Sequence, residues 1–253
     1  MVMSTRFRIG AQALRGSLES YAKHFDFLEV SVSSLPSKGS QEGDFRMEPG
    51  IKALRQWRKK VPTSFDFCVV GGKYLSQLRP GGALEHELAS VQVAVEALQA
   101  KCFLLKTPSD ITPAPLWRDR LASVFERLSR TIICLAWEPT GVWELEEAIS
   151  VAKKWGVFVV VDPARDLVPE GRMFYGRLRG LGETRSFGPS ALERVVEAIG
   201  ERQAAYLIIE TRGASREAKE IRRIVQNKCS HEFVMGIKAP PDFLFFGKGM
   251  EEE

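Results

Sequence analysis

The chain has 253 residues, and its 44% hydrophobic and 27% charged content is ordinary for a globular protein, which excludes a disordered or fibrous one. The formal net charge of +4 is mildly basic, so it permits contact with phosphate or nucleic acid without indicating a nucleic-acid-binding protein. The first residues contain no apolar leader, and no run is apolar enough to span a bilayer, so we expect a cytoplasmic protein without membrane contacts.

Short β-branched or aromatic runs alternate with amphipathic segments along the whole chain. Strands are predicted at residues 6–12, 26–32, 64–70, 101–106, 131–138, 157–162, 173–180 and 204–211. Helices are predicted near residues 17–25, 51–60, 83–99, 116–128, 143–155, 190–199 and 215–225. Loops are expected at residues 33–49, 71–82 and 163–171, where Ser, Gly and Pro are frequent or the connection is short.

The alternation of strands and helices predicts parallel strands in an α/β architecture. Eight such units in a chain of this length favour a closed (β/α)8 TIM-type barrel over an open sheet. The first turn, IGAQALRG, lacks the G-x-G-x-x-G pattern of dinucleotide sites, so no cofactor is predicted. We expect one barrel domain at residues 1–228 and a C-terminal tail at residues 229–253. Three roles stay open for the tail: disorder, packing across the barrel, and contact with a second subunit.

Barrel enzymes carry their active sites at the C-terminal ends of the strands. The polar residues at the predicted strand ends are Gln12, Glu29, Lys106, Glu138, Asp162, Arg177, Arg179 and Glu210. Because successive strand residues point to opposite faces, Tyr175, Arg177 and Arg179 share one face, which we expect to be the barrel interior. Arginines inside a barrel require partners. They therefore either form ion pairs with the strand-end carboxylates or hold an anionic ligand together with Lys106.

Other chemistries have weaker sequence support. The strand-end carboxylates alone are a candidate magnesium site, and Glu138 with Glu210 is a candidate acid–base pair of the kind used in glycoside hydrolysis. The four cysteines are widely spaced, so no cysteine-based metal site is predicted. The histidines do not end strands either: His24, His86 and His231. No signature of nucleophilic catalysis is present.

The segments IG at 9–10, YAKHFDFLEV, FDFCVV, LLKTP, WEPTGVW, YGRLRG and YLIIET follow one another along residues 6–225. Their order and spacing resemble the YecE-like family, a (β/α)8-barrel group also called domain of unknown function 72. The resemblance implies the barrel fold more firmly than it implies a reaction. The residues that fall on matching positions are Glu29, Glu138, Trp143, Tyr175, Arg177 and Gly180.

The sequence departs from the family pattern at several polar positions. Lys106 stands where the family has glutamine, and Arg179 stands where it has histidine. Glu210 and Thr211 replace a pair of asparagines. An arginine after the fifth-strand glutamate and a tryptophan after the first strand are also missing. The resemblance therefore implies a divergent member with a rebuilt pocket.

Together these observations predict a small ligand bearing phosphate or carboxylate, bound at the C-terminal face of the barrel. The predicted ligand-binding residues are Lys106, Trp143, Tyr175, Arg177, Arg179 and Glu210. Glu29 and Glu138 are predicted to orient the arginines or to act as acid–base groups, and Trp143 either stacks on the ligand or only packs. Two alternatives stay open: a non-catalytic binding or scaffold protein derived from an enzyme-like barrel, and a metal-assisted hydrolase or nuclease that acts on phosphoesters. The oligomeric state is left open.

Overall fold

The computed structural model describes the backbone of residues 5–36, 45–180 and 186–236, with side chains described up to residue 228. The strands are β1 (Arg6–Ala11), β2 (Phe27–Pro36), β3 (Phe45–Glu48), β4 (Asp66–Gly71), β5 (Cys102–Lys106), β6 (Cys134–Glu138), β7 (Phe158–Val159), β8 (Met173–Leu178) and β9 (Ala204–Ile209). The helices are α1 (Leu18–Tyr21), α2 (Ile51–Lys59), α3 (Lys73–Gln77), α4 (Gly82–Leu98), α5 (Pro115–Ser129), α6 (Leu145–Lys154), α7 (Pro189–Ile199) and α8 (Ala214–Gly236). Within these ranges no helix is both long and apolar enough to cross a membrane.

Eight of the strands are parallel and follow one another around a ring, so the predicted TIM-type barrel is confirmed. Strands β2, β4, β5, β6 and β7 form one ladder, and β8, β9 and β1 form another. The two ladders meet at two seams. The Asp26 N–H donates to the Ile9 carbonyl at 3.1 Å at one seam, and the Arg177 N–H donates to the Val161 carbonyl at 2.9 Å at the other. All the strand ends that carry the predicted site are thereby brought to one face.

The barrel interior below that face is filled by apolar side chains. They include three cysteines on neighbouring strands. Cys68 of β4 is in register with Cys102 of β5, and Cys102 is in register with Cys134 of β6. All three are free and buried, as expected for thiols in apolar strands. Burial raises the pKa of Cys68 and of Cys102 well above the usual thiol range. These thiols therefore act as packing groups in the barrel interior.

Parts of the two loops expected before α4 form regular secondary structure, which corrects the sequence prediction. Strand β2 extends to Pro36 and pairs with the antiparallel β3, and α3 follows β4. One buried carboxylate on α4 explains both: Glu87 accepts the Ser34 N–H at 3.2 Å and the Leu75 N–H at 2.5 Å. The Ser34 hydroxyl also lies 2.7 Å from His86 Nδ1. These contacts order segments whose composition favours a loop.

The end of the chain also differs from the prediction. Helix α8 continues to Gly236, so the expected start of the tail at residue 229 falls inside a helix. The rest of the predicted tail, from residue 237 onward, lies outside the described residues.

Strand β7 is short, with two ladder residues and an isolated bridge between Val161 and Gly176.

Candidate functional site

Arg177 lies at the centre of the C-terminal face and is only 2% exposed. Its Nε donates to Glu138 Oε2 at 2.9 Å, and its Nη1 donates to Glu210 Oε1 at 3.1 Å. Its Nη2 donates to both carboxylate oxygens of Glu29, at 2.6 and 2.9 Å. All three nitrogens of the guanidinium are therefore engaged by carboxylates that come from β2, β6 and the end of β9.

The same carboxylates keep Arg177 charged, and one of them accepts a hydrogen bond from a tyrosine. Burial opposes the charge of Arg177, but Glu29 and Glu138 outweigh it, so its pKa is raised above the usual range. The Tyr175 hydroxyl donates to Glu29 Oε1 at 2.6 Å. Burial raises the pKa of Tyr175 well above its usual value, and the Glu29 carboxylate adds to the effect. Tyr175 therefore keeps its proton and serves as a fixed donor beneath Glu29.

Two more cations stand above this buried layer. Arg179 Nη2 bonds to Glu138 Oε1, and its Nε lies 3.5 Å from Glu210 Oε2. Lys106 Nζ lies 4.0 Å from Glu29 Oε2 and 3.8 Å from Glu138 Oε2, which is beyond hydrogen-bond length. The side chains of Lys106 and Arg179 are 45% and 41% exposed, whereas the three glutamates are 11–19% exposed. The network thus balances three negative charges with three positive ones, and two of its cations, Lys106 and Arg179, are exposed to solvent.

The backbone at the end of β8 is held by the turn that follows β7. Asp162 is 2% exposed, and its carboxylate accepts the N–H groups of Ala164 at 3.0 Å and of Arg179 at 3.3 Å. Arg165 Nη2 donates to the carbonyls of Arg179 and Gly180 at 3.2 and 3.1 Å. Burial raises the pKa of Asp162, although these N–H donors and Arg165 act against that shift. This turn fixes where the Arg179 side chain leaves the strand.

The structure brings together all of the predicted site residues except Trp143. The indole N–H of Trp143 donates to the Ile111 carbonyl at 2.6 Å, and its ring lies edge-on against Trp137 at 4.8 Å between ring centroids. Trp137 in turn donates to the Thr107 hydroxyl at 3.0 Å. Trp143 is 9% exposed and belongs to the core between strands and helices. Its environment is that of a packing residue.

A second charge cluster was missed by the sequence analysis. Arg8 Nε donates to Asp66 Oδ2 at 2.8 Å, and Lys101 Nζ donates to Asp66 Oδ1, also at 2.8 Å. Arg8 and Asp66 are 7% and 4% exposed. Both lie near the beginnings of strands, at the face of the barrel opposite the strand ends that carry the predicted site. The alternation along β1, which sets Arg8 on the face opposite Ile9, was the available signal.

The site does not fit the carboxylate-only magnesium alternative. A divalent ion would need oxygens of Glu29, Glu138 and Glu210 directed at one point, and the guanidinium of Arg177 fills that point. In the described part of the chain, no group of three or more histidine, cysteine, aspartate or glutamate side chains is arranged to hold a metal ion. The carboxylates therefore serve as anionic partners of arginine in this arrangement.

The fold and the site define a TIM-type barrel with a charge network at its mouth. No model of a known family and no curated protein matches the chain, but solved structures do. A DUF72 family protein from Enterococcus faecalis matches with a TM-score of 0.63 at 13% identity, covering 87% of this chain and 95% of its own. One from Thermotoga maritima matches with a TM-score of 0.60 at 15% identity, covering 87% and 99%.

A third match lies outside that group. An AP endonuclease, family 2, from Brucella melitensis has a TM-score of 0.52 at 12% identity, with 85% of this chain and 96% of its own covered. The chain therefore has the fold of the DUF72 family proteins, in agreement with the resemblance seen in the sequence. That fold also extends to barrels of other activities, so function has to be argued from the site.

Proposed function

We propose that the protein binds a small ligand bearing a phosphate or carboxylate group at the C-terminal face of its barrel. The observation that carries the proposal is the order of charges with depth: the carboxylates are nearly buried, and Lys106 and Arg179 are almost half exposed above them. An incoming ligand therefore meets cations first. The three ammonium donors of Lys106 lie beyond hydrogen-bond length from the glutamates, and they are free to bind anion oxygens.

Arg177 has a different role from the one expected at first. Its nitrogens are all taken by glutamates, so it acts as the residue that positions them. Lys106 and Arg179 then bind the anion, and Glu29 and Glu138 lie directly beneath it as the groups available for proton transfer. Tyr175 supports Glu29 from below. The predicted anion site is retained in this proposal, with Arg177 moved from ligand contact to support.

A second candidate is binding without turnover. Both oxygens of Glu138 accept hydrogen bonds from arginines, and both oxygens of Glu29 accept from Arg177. Lone pairs engaged in this way are less available to abstract a proton. A metal-assisted nuclease reaction receives less support, because Arg177 occupies the space between the carboxylates.

Titration calorimetry with inorganic phosphate and with simple phosphate and carboxylate monoanions tests the proposal. We expect Lys106→Gln and Arg179→His, the residues of the family pattern, each to weaken binding about tenfold, since each removes a charge-assisted contact. Arg127→Gln is the matched control, because Arg127 pairs with Glu85 on the outer surface. Affinities that do not change in the Lys106 and Arg179 variants would refute the proposal. Turnover of a bound ester that Glu138→Gln abolishes would favour an enzyme over the second candidate.

A further inference from the structure

A large cavity adjoins the charge network over the ends of β1 and β9. It is an open groove with a volume of about 530 Å³ between the segment that follows β1 and the start of α8. Glu210 lines it, and the same carboxylate contacts Arg177 and Arg179 in the network. The cavity therefore begins where the proposed anion site ends.

Two exposed arginines that have no partner among the described residues line this cavity. Arg15 follows β1, Arg212 follows β9, and both side chains are exposed. Within the described ranges, neither makes a hydrogen bond or an ion pair. Glu210 is the acidic member of the lining, and its charge is already matched by Arg177 and Arg179. The unmatched charge of the cavity is therefore positive.

The wall of the cavity beside Arg15 and Arg212 is suited to the uncharged part of a ligand. Buried Tyr21 and Ile209 form part of it, and the exposed side chain of Gln12 adds a polar contact. The Tyr21 hydroxyl is already used, because it donates to the Phe27 carbonyl at 2.9 Å and accepts the Ala11 N–H at 2.8 Å. The wall near Tyr21 thus offers mainly an apolar surface.

We propose that this cavity, the arginine groove (Gln12, Arg15, Tyr21, Glu210 and Arg212), binds the second anionic end of an elongated ligand. The first anionic group lies on Lys106 and Arg179, so the inference rests on the proposed function and narrows its ligand class. That class is a linear molecule with a phosphate or carboxylate at each end and a largely uncharged middle. Guanidinium pairs suit such groups because they donate in a planar, bidentate geometry.

The test compares linear alkanediyl bisphosphates of increasing length with alkyl monophosphates of the same lengths, by titration calorimetry on the full chain. We expect one bisphosphate length to bind about tenfold or more tightly than its monophosphate partner, the factor for one added charge-assisted contact. The double variant Arg15→Ala with Arg212→Ala should remove that gain and leave monophosphate binding unchanged. Arg55→Ala, an exposed arginine on α2, is the matched control and should change neither. A gain that appears with linear dicarboxylates instead supports the groove equally and identifies the anion.

The two levels of the proposal fail differently. Equal affinity for monophosphates and bisphosphates, with both still dependent on Lys106 and Arg179, would overturn the arginine groove and leave the first anion site standing. A gain that survives the double variant would overturn it as well. Absence of binding by every probe, or binding indifferent to Lys106 and Arg179, would overturn the proposed function itself.

Discussion

Replacing Arg177 by methionine tests whether this side chain is the structural centre of the site. The change keeps much of the volume and removes the charge, so Glu29, Glu138 and Glu210 lose their common partner. Glu138 keeps Arg179, and Glu210 keeps Arg179 at 3.5 Å. Glu29, which is 11% exposed, keeps only Lys106 at 4.0 Å and the Tyr175 hydroxyl. The cost is therefore concentrated on one nearly buried carboxylate.

Removal of one partner from a buried ion pair typically costs about 3–5 kcal/mol, and we expect Arg177→Met to fall in that range. Urea denaturation measures it as a shift of the midpoint at unchanged slope. The control is Arg127→Met, which breaks an exposed pair and should cost no more than about 1 kcal/mol. Adding Glu29→Gln to Arg177→Met should recover much of the loss, because the stranded charge is then gone. A cost equal to that of the control, or a double variant no more stable than the single one, would refute this reasoning.

Three further changes probe the frame of the barrel. Burial raises the pKa of Glu87, so its stabilising contribution is full below the ordinary glutamate pKa of about 4.3 and is lost as pH rises through the raised value. Glu87→Gln should therefore flatten the fall of unfolding free energy over that window, as measured by urea midpoints against pH, and the exposed Glu96→Gln should not. Asp66→Asn leaves the buried charge of Arg8 without its partner and should cost about 3–5 kcal/mol of unfolding free energy. Adding Arg8→Met should recover part of that loss, and equal urea midpoints for the single and the double variant would contradict this. Gly10→Ala places a methyl group 2.5 Å from the Phe27 carbonyl oxygen and should cost about 1–3 kcal/mol by overpacking, so an unchanged melting temperature would count against it.

The barrel could be predicted because its signals are local. Each strand is a short apolar run, and the helices show apolar residues at helical spacing, so the order of the elements follows from the sequence alone. The missed elements depend on distant contacts. The extension of β2 that pairs with β3, and helix α3, both donate a backbone N–H to Glu87, which lies far along the chain on α4. The sequence of residues 33–49 alone does not predict the contact with Glu87.

The strand-end pattern predicted that Glu29, Lys106, Glu138, Tyr175, Arg177, Arg179 and Glu210 lie together, which the structure shows, whereas Trp143 lies in the core. The pattern did not distinguish the positions of these residues in depth. Alternation along β8 set Arg177 and Arg179 on one face, which the structure confirms. It could not say that they differ in depth. A strand rises about 3.3 Å per residue, so two residues separate these side chains by about 6.6 Å. That distance puts Arg177 among the glutamates and leaves Arg179 at the rim. The strand pattern predicted the same role for both arginines, whereas their different depths favour different roles.

Depth also accounts for most of the agreement with the resemblance to the YecE-like family. Glu210 is an exception, because it departs from the family pattern although its side chain is only 19% exposed and pairs with Arg177. Glu29, Tyr175 and Arg177 fall on matching positions, and in the structure they form the nearly buried layer. A change at any one of them would strand a buried polar partner, which is costly. Lys106 and Arg179 depart from the pattern and are the exposed members of the network. Exposed charges can be exchanged at little cost in stability, so substitutions at Lys106 and Arg179 are tolerated by the fold more easily than substitutions at Glu29, Tyr175 or Arg177.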